Sequence, residues 1–495
     1  MAEAARAAAA ARPSPGAGPA PRPSDALDAA TWERAHADLV EELRALIRIP
    51  TVNPPGDEIL AARHLADVLA DAGIPAEVLE PSPGRGSIVA RLRGDGTGGA
   101  PLLLLSHTDV VPAPDEGWAH DPFGGDLADG YVWGRGAVDM KSMVAMEVAV
   151  MRLLAGEARA AGRDPASDPV PGLTRDVIFA STADEEAGGW AGAGWLVDNR
   201  PELLRAAGAL NECGGVATTI AGVRLYPIGV AEKGFAILEL AVRGRWSHGS
   251  MPGDGTSVDG DANALLRAGE VARRLAAPGP ARLTPVMEQF LSGVAAHAPA
   301  GVARWLPRLA DADPRAAEAA LAAVCTEPYR RAARALLRDT LSPNVLHAGT
   351  RHNVIPGAAA LTVDCRLLPG TTPDSLAAEI RARIGEELWP HVDARLAMWG
   401  PQVEAPLDGQ LYPLLEDALR AADPDGVPLP VMVPFATDAK HTARIGVPTY
   451  GFSPLRLDPD DRFLELFHGD DERVPVEALR FGLPVLYDVV RRFCG

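Results

Sequence analysis

The chain has 495 residues, 47% of them hydrophobic, and a formal net charge of -19 at pH 7. That length exceeds one ordinary core and calls for two or more domains, while the acidic balance excludes nucleic acid and anionic membrane, both of which demand a basic surface. Mean hydropathy is near zero, and no apolar run approaches the roughly 18 residues that a membrane helix needs.

Residues 1–29 are Ala/Pro-rich and lack a basic start followed by a long apolar segment. They read as a disordered leader rather than a secretory signal. The four cysteines, Cys213, Cys325, Cys365 and Cys494, stand far apart and fit no CxxC zinc pattern. In a chain this large they predict free thiols in a reducing compartment, hence the cytoplasm.

Order is expected from about Ala30. Leu39, Val40, Leu43, Leu46 and Ile47 recur at helical spacing until the prolines of "IPTVNPPGDE" stop the helix. A second helix, "ILAARHLADVLADAG", runs to Gly73, and "SIVARLRG" and "PLLLLSH" follow as strands. "DLADGYVWGRG" reads as a hairpin turning at Asp129-Gly130. A helix starting near Lys141 leads to a Pro/Gly/Asp-rich loop and the strand "DVIFAST". Helices alternating with apolar strands predict an α/β layer with a largely parallel central sheet. At Glu232 the pattern changes: "FAILELAVRGRW" alternates as a half-exposed antiparallel strand does. A helix, a long Ala/Arg/Leu-rich helical stretch over 285–338, then "AALTVDCRL", "SLAAEIRARIGEEL" and "VDARLAMWG" complete a smaller α+β unit. The α/β pattern resumes near Pro406 and ends in a helix from Pro475. The expected organisation is a catalytic domain over 30–231 and 402–495, interrupted by an inserted lid over 232–401.

Five acid or histidine clusters stand where an apolar element ends: "SHTDVVP" (His107, Asp109), "GRGAVDMK" (Asp139), "STADEEAGG" (Glu185, Glu186), "NECGG" (Glu212) and "LFHGDDERVP" (His468). On a strand His107 and Asp109 point to the same side, and open parallel sheets hold ligands at the carboxyl ends of strands. Singly each has a bland reading, such as a helix cap for Asp139 or a solvated surface for the glutamates. Together, two histidines and three carboxylates form a donor set that zinc accepts. Two Zn²⁺ would balance Asp139, Glu186, Glu212 and one hydroxide to neutrality, which permits a semi-buried site. Adjacent Glu185 and Glu186 point apart on an extended backbone, so one can bind metal while the other reaches water.

With "WSHGSMP", "RHNVIP", "DCRLLPG" and "TDAKH" added, these motifs resemble, in order, the dinuclear zinc peptidase/deacylase family of aminoacylase, acetylornithine deacetylase, succinyl-diaminopimelate desuccinylase and glutamate carboxypeptidase. The resemblance implies two Zn²⁺ (Co²⁺ or Mn²⁺ as alternatives), with His107 and Glu212 on one, Glu186 and His468 on the other, and Asp139 bridging. It implies Asp109 orienting His107, Glu185 as general base, and a lid that dimerises in many members and brings His248, Asn353 and Arg366 to the substrate. Lys440 stands where many members have an arginine thought to hold the substrate carboxylate, and Cys213 where glycine is frequent. The implied activity is hydrolysis of an N-acyl amino acid or small peptide carrying a free carboxylate. A di- or tripeptidase or carboxypeptidase is the alternative, and a non-catalytic homologue would be expected to have lost Glu185 or a ligand. The 285–338 stretch exceeds a minimal lid, as a larger or more hydrophobic substrate would require.

Overall fold

A computed structural model of the chain describes residues 21–114, 116–253, 263–311, 313–325, 329–458 and 463–495. Residues 1–20 of the expected leader lie outside the described residues. Its last part is packed: Pro23–Ala26 form a 3₁₀ turn, and buried Ser24 donates through its N–H (2.6 Å) and Oγ (2.9 Å) to the Asp488 carboxylate on the final helix.

The strand Leu102–His107 is buried along its whole length, which explains its unbroken leucine run, because a strand in the middle of a parallel sheet is covered on both faces. It pairs in parallel with Val177–Thr182 on one side and Gly208–Asn211 on the other, with Leu102 opposite both Val177 and Gly208. Gly208–Asn211 in turn pairs in parallel with Thr449–Gly451. Further strands, each antiparallel to its neighbour except Val427–Val433, which runs parallel to Val223–Glu232, extend this centre into a ten-stranded sheet. Leu102 and Leu104 pack into one core with the helices Ala29–Ile47, Lys141–Ala160 and Val476–Cys494. Leu103 and Leu105 pack into another with the helix Ala193–Asn199. This is the α/β class expected from the sequence. Among the described residues no helix is long and apolar enough to cross a membrane.

At Lys233 the chain passes from Val223–Glu232, in the large sheet, to Gly234–Arg243, in a separate antiparallel sheet ordered 340–348, 358–367, 234–243, 392–400. Three strands carry internal prolines that mask them in sequence, Pro227 in Val223–Glu232 among them. Pro343 sits at a register shift opposite Val363, and Pro428 and Pro430 lie in Val427–Val433, which pairs only with Val223–Glu232; bulges and edges are where a strand tolerates proline.

One expectation needs correction. The helical stretch over 285–338 does not extend the core of the small sheet. Val286, Met287, Phe290, Val294, Leu321 and Val324 belong to the core of the large sheet, whereas the small sheet closes on Leu240, Val271, Val363 and Ile380 from the helices Ala264–Ala276 and Pro373–Ile384. Helical periodicity marks an apolar face but not the partner that covers it.

Fully buried Lys233 fastens the end of this stretch: Nζ donates to the carbonyls of Ala335 (3.1 Å) and Arg338 (2.9 Å), and burial lowers its pKa to about 8. Lys233→Met keeps the volume and strands both carbonyls. It is expected to cost about 2–4 kcal/mol, read as a lower urea midpoint; an unchanged midpoint would mean that the carbonyls find other donors.

Candidate metal centre

The parallel register aligns the carboxyl ends of three central strands, so His107, the turn carrying Glu185 and Glu186, and Glu212 leave the sheet at one edge. Asp139 arrives from the loop before helix Lys141–Ala160, and His468 from the loop before strand Arg473–Pro475. Asp139 sends one oxygen each way: Oδ1 lies 3.2 Å from His107 Nε2, and Oδ2 lies 3.3 Å from His468 Nε2. Glu212 Oε1 is 3.7 Å from His107 Nε2, and Glu186 Oε2 is 3.2 Å from His468 Nε2. Donors on one tetrahedral ion with bonds of about 2.0–2.2 Å stand about 3.3 Å apart, so these spacings suit atoms that share ions.

Two further observations fit a cation. His107 Nε2 and Glu186 Oε1 are buried yet make no hydrogen bond. Burial also pushes the carboxyls of Glu186 and Glu212 up, to about 7 and about 8, as expected when acids are gathered without a counter-charge. Burial opposes a charged His107, but the carboxylates of Asp109, Asp139 and Glu212 outweigh it and raise its pKa. Hydrogen bonds to Asp139 and Glu186 raise His468 to about 10. The donor atoms fall into two groups, one from His107, Glu185 and Glu212 and one from Asp139, Glu186 and His468, with the atoms of each group within 4.8 Å of one another.

The cluster is built by residues with little sequence signal of their own. The buried Glu472 carboxylate accepts from the N–H groups of Gly136 (3.0 Å), Val138 (2.7 Å) and Asp139 (3.0 Å) and from Arg135 Nη1 (2.7 Å). It thereby fixes the loop that presents Asp139. Asp109 does more than orient a ring. His107 Nδ1 lies 3.1 Å from its backbone carbonyl and 3.4 Å from its Oδ1, while its carboxylate accepts the N–H groups of Glu185 (3.1 Å) and Glu186 (3.0 Å). Asn53 Nδ2 caps the same carboxylate at 2.9 Å. Asp184 turns the chain here in the left-handed region, at φ 71°, and pairs with Arg85. Cys213 directs its thiol at Glu212 Oε2, 3.4 Å away, and burial raises its pKa further, leaving it a neutral thiol.

Of the other expected residues, Lys440 is brought to the cluster but not as a free cation. It is 4% exposed, and Nζ lies 3.3 Å from Glu185 Oε1 and donates to the Thr437 carbonyl at 2.9 Å. These contacts tie Lys440 to Glu185 and to the Thr437 carbonyl. Asp438 and Glu232 add charge around it. His248 and Asn353 meet on the small sheet's side, where strand Ser247–His248 pairs with Val354–Ile355 and Gly249 N–H donates to the Asn353 carbonyl. Arg366 lies on strand Ala358–Leu367, beside Asp364 and over the Phe235 ring. Among the described residues no hydrogen bond or ion pair joins these three to the cluster.

Residues 103–492 match Peptidase family M20/M25/M40. The chain belongs to that family. It is 28% identical over 476 residues to N-fatty-acyl-amino acid synthase/hydrolase PM20D1 of Xenopus tropicalis, covering 90% of this chain and 84% of that protein. It is 33% identical over 210 residues to aminoacylase-1 of Sus scrofa, covering 42% of this chain and 47% of that one. Human carnosine dipeptidase 1 shares the fold, with a TM-score of 0.66 at 16% identity over 96% of this chain and 100% of that one. This M20 chain is accordingly a metal-dependent hydrolase.

Glu472 offers a test of the scaffold. Glu472→Gln keeps its size but leaves Arg135 buried without its counter-charge, expected to cost about 3–5 kcal/mol and to loosen Asp139. Metal analysis of the purified M20 variant should give fewer than two equivalents, and two equivalents held as in the wild type would mean that Asp139 is positioned without Glu472.

Proposed function

We propose that this M20 hydrolase cleaves the amide bond of N-acyl amino acids, with Glu185 as general base beside a two-metal site. The observation that carries the reading is Asp139, whose two oxygens face His107 and His468 separately, as a carboxylate shared by two ions does. His107 and Glu212 would hold one ion, Glu186 and His468 the other. Mixed imidazole and carboxylate donors suit Zn²⁺, with Co²⁺ or Mn²⁺ as substitutes. Ions bound there supply Lewis acidity, which lowers the pKa of water and polarises a carbonyl oxygen.

The protein's own groups then divide the work. Glu185 takes a proton from the attacking water and delivers it to the nitrogen of the leaving amine. Lys440 holds the Glu185 carboxylate in place from behind, so that its free oxygen faces the cluster. His248 Nδ1 accepts the Ser250 N–H at 3.2 Å, which leaves the imidazole proton on Nε2 as a donor for the developing oxyanion. Arg366 and Asn353 would receive the substrate's carboxylate. The named activities of the PM20D1 and aminoacylase relatives support an acyl amino acid over a peptide. All four cysteines are free, which supports a reducing, cytoplasmic setting. The small sheet's edge strands expose Val345, Leu346, Leu396 and Met398, which supports dimerisation through this lid.

Glu185→Gln should lower kcat by on the order of 10²–10⁴-fold while metal analysis still finds both ions. Near-normal turnover would remove Glu185 from the mechanism. Amidation of the substrate carboxylate should raise KM in the wild type and have little further effect in Arg366→Ala; equal cleavage of free acids and amides by the wild type would end the carboxylate reading.

A further inference from the structure

Cys213 follows a proposed metal ligand directly and holds a backbone conformation that strains it. Its φ is 69°, in the left-handed region where glycine is at ease and a residue with a Cβ is not. The chain around it cannot shift to relieve this. A Cβ on Gly214 would meet the Gly451 carbonyl oxygen at 2.0 Å, and one on Gly451 would meet the carbonyl oxygens of Glu212 and Cys213 at 2.6 and 2.8 Å. Strain of this kind persists where the side chain has a use. Here Sγ donates to Glu212 Oε2 at 3.4 Å, and among the described residues no other group donates to that oxygen.

The two glutamates of the cluster are therefore unlike. Glu212 turns Oε1 alone toward His107 Nε2, an atom that makes no hydrogen bond on a ring only 1% exposed. Glu186 sets Oε2 beside His468, and its buried Oε1 makes no hydrogen bond, so both of its oxygens are open to a cation. Zinc is content with four donors in a tetrahedron, whereas Mn²⁺ favours six oxygens. An oxygen withheld from one side of the centre thus disfavours the ion that needs more of them. We propose that Cys213 is a positioning residue that confines Glu212 to one donor oxygen, making the His107 side of the centre selective for Zn²⁺ over Mn²⁺ while the Glu186 side admits either. The inference rests on the two-ion reading proposed above and adds which ion each side prefers. Cys213 acts through Glu212 and is not itself a ligand: its sulfur is absent from the donor group of His107, Glu185 and Glu212, whose atoms lie within 4.8 Å of one another.

The test is titration of the metal-free protein with Zn²⁺ and with Mn²⁺ against a chromophoric chelator, which gives a dissociation constant for each equivalent bound. Zn²⁺ generally binds such sites more tightly than Mn²⁺, so each equivalent is read as its Zn²⁺-to-Mn²⁺ affinity ratio. In the wild type the two ratios should differ. Cys213→Gly removes the donor and suits the positive φ. The lost side chain borders an apolar cavity of about 560 Å³ roofed by the 285–338 helices, so this variant enlarges an existing space rather than opening a new one. The higher ratio should fall by about 10–100-fold, the usual effect of removing a group that orients a ligand, and the other should stay. Cys213→Ser keeps a donor on the same carbon and should regain most of the lost preference, which a purely structural role would not produce. Wild-type protein loaded with Co²⁺ should show no sulfur-to-cobalt charge-transfer band, because a coordinating thiol would be deprotonated and bound. Equal ratios in the wild type, an unchanged ratio in Cys213→Gly, a serine variant no better than the glycine one, or a cobalt–thiolate band each overturn the proposal, and the first and last need no variant to fold. If only one equivalent of either ion were bound, the two-ion reading would fall, and that one ratio would still decide: a fall in Cys213→Gly upholds the role of Cys213, and no change overturns it.

Discussion

Three carboxylates, Asp139, Glu186 and Glu212, are held within a few ångströms of one another in a place where burial disfavours their charge. Mutual repulsion and desolvation both oppose this arrangement; the two imidazoles offset it for Asp139, whose pKa is lowered, but not for Glu186 and Glu212, whose pKa values are raised. The structure tolerates the gathering because each acid is fixed through its own backbone. Asp139 hangs from a loop in which the N–H groups of Gly136, Val138 and Asp139 point at Glu472, and Glu186 hangs from a turn in which the N–H groups of Glu185 and Glu186 point at Asp109. Glu212 leaves the end of a strand in fixed parallel register. Much of the surrounding fold can be understood as the support for this one crowded point.

That support has a second layer of charge. Arg85 pairs with Glu58 at 2.6 Å and with Asp184, so the turn before Glu185 is tied to the second helix. Buried Lys141 donates to the carbonyls of Leu46 and Ile49, each at 2.9 Å, and burial lowers its pKa to about 7. This joins the helix behind Asp139 to the end of the first helix. Buried pairs of this kind contribute little net stability against an apolar alternative. What they provide is position: the acids cannot relax apart without leaving a charge or a carbonyl unpaired.

The insertion at Lys233 divides its labour between two cores. Its β-rich part makes its own sheet and presents His248, Asn353 and Arg366, while its helical middle returns to the large sheet and roofs an apolar space beside the metal-binding cluster.

The sequence by itself determined the α/β class, most of the elements and the eight residues that meet at the site, His107, Asp109, Asp139, Glu185, Glu186, Glu212, Lys440 and His468. It could do so because apolar periodicity and chemically unusual residues at element ends are local signals. The Asp129-Gly130 hairpin and the Gly73 helix end were legible for the same reason, since both need a positive φ that few residues accept. Only the tertiary structure decided that Lys440 is spent on Glu185, that Glu472 carries the Asp139 loop, and that the 285–338 helices side with the large sheet. Each of these depends on which partner lies across the interior, hundreds of residues away in Glu472's case. An amphipathic face or a lone charge states what it needs and not who supplies it, and the supplier is fixed only when the chain is packed.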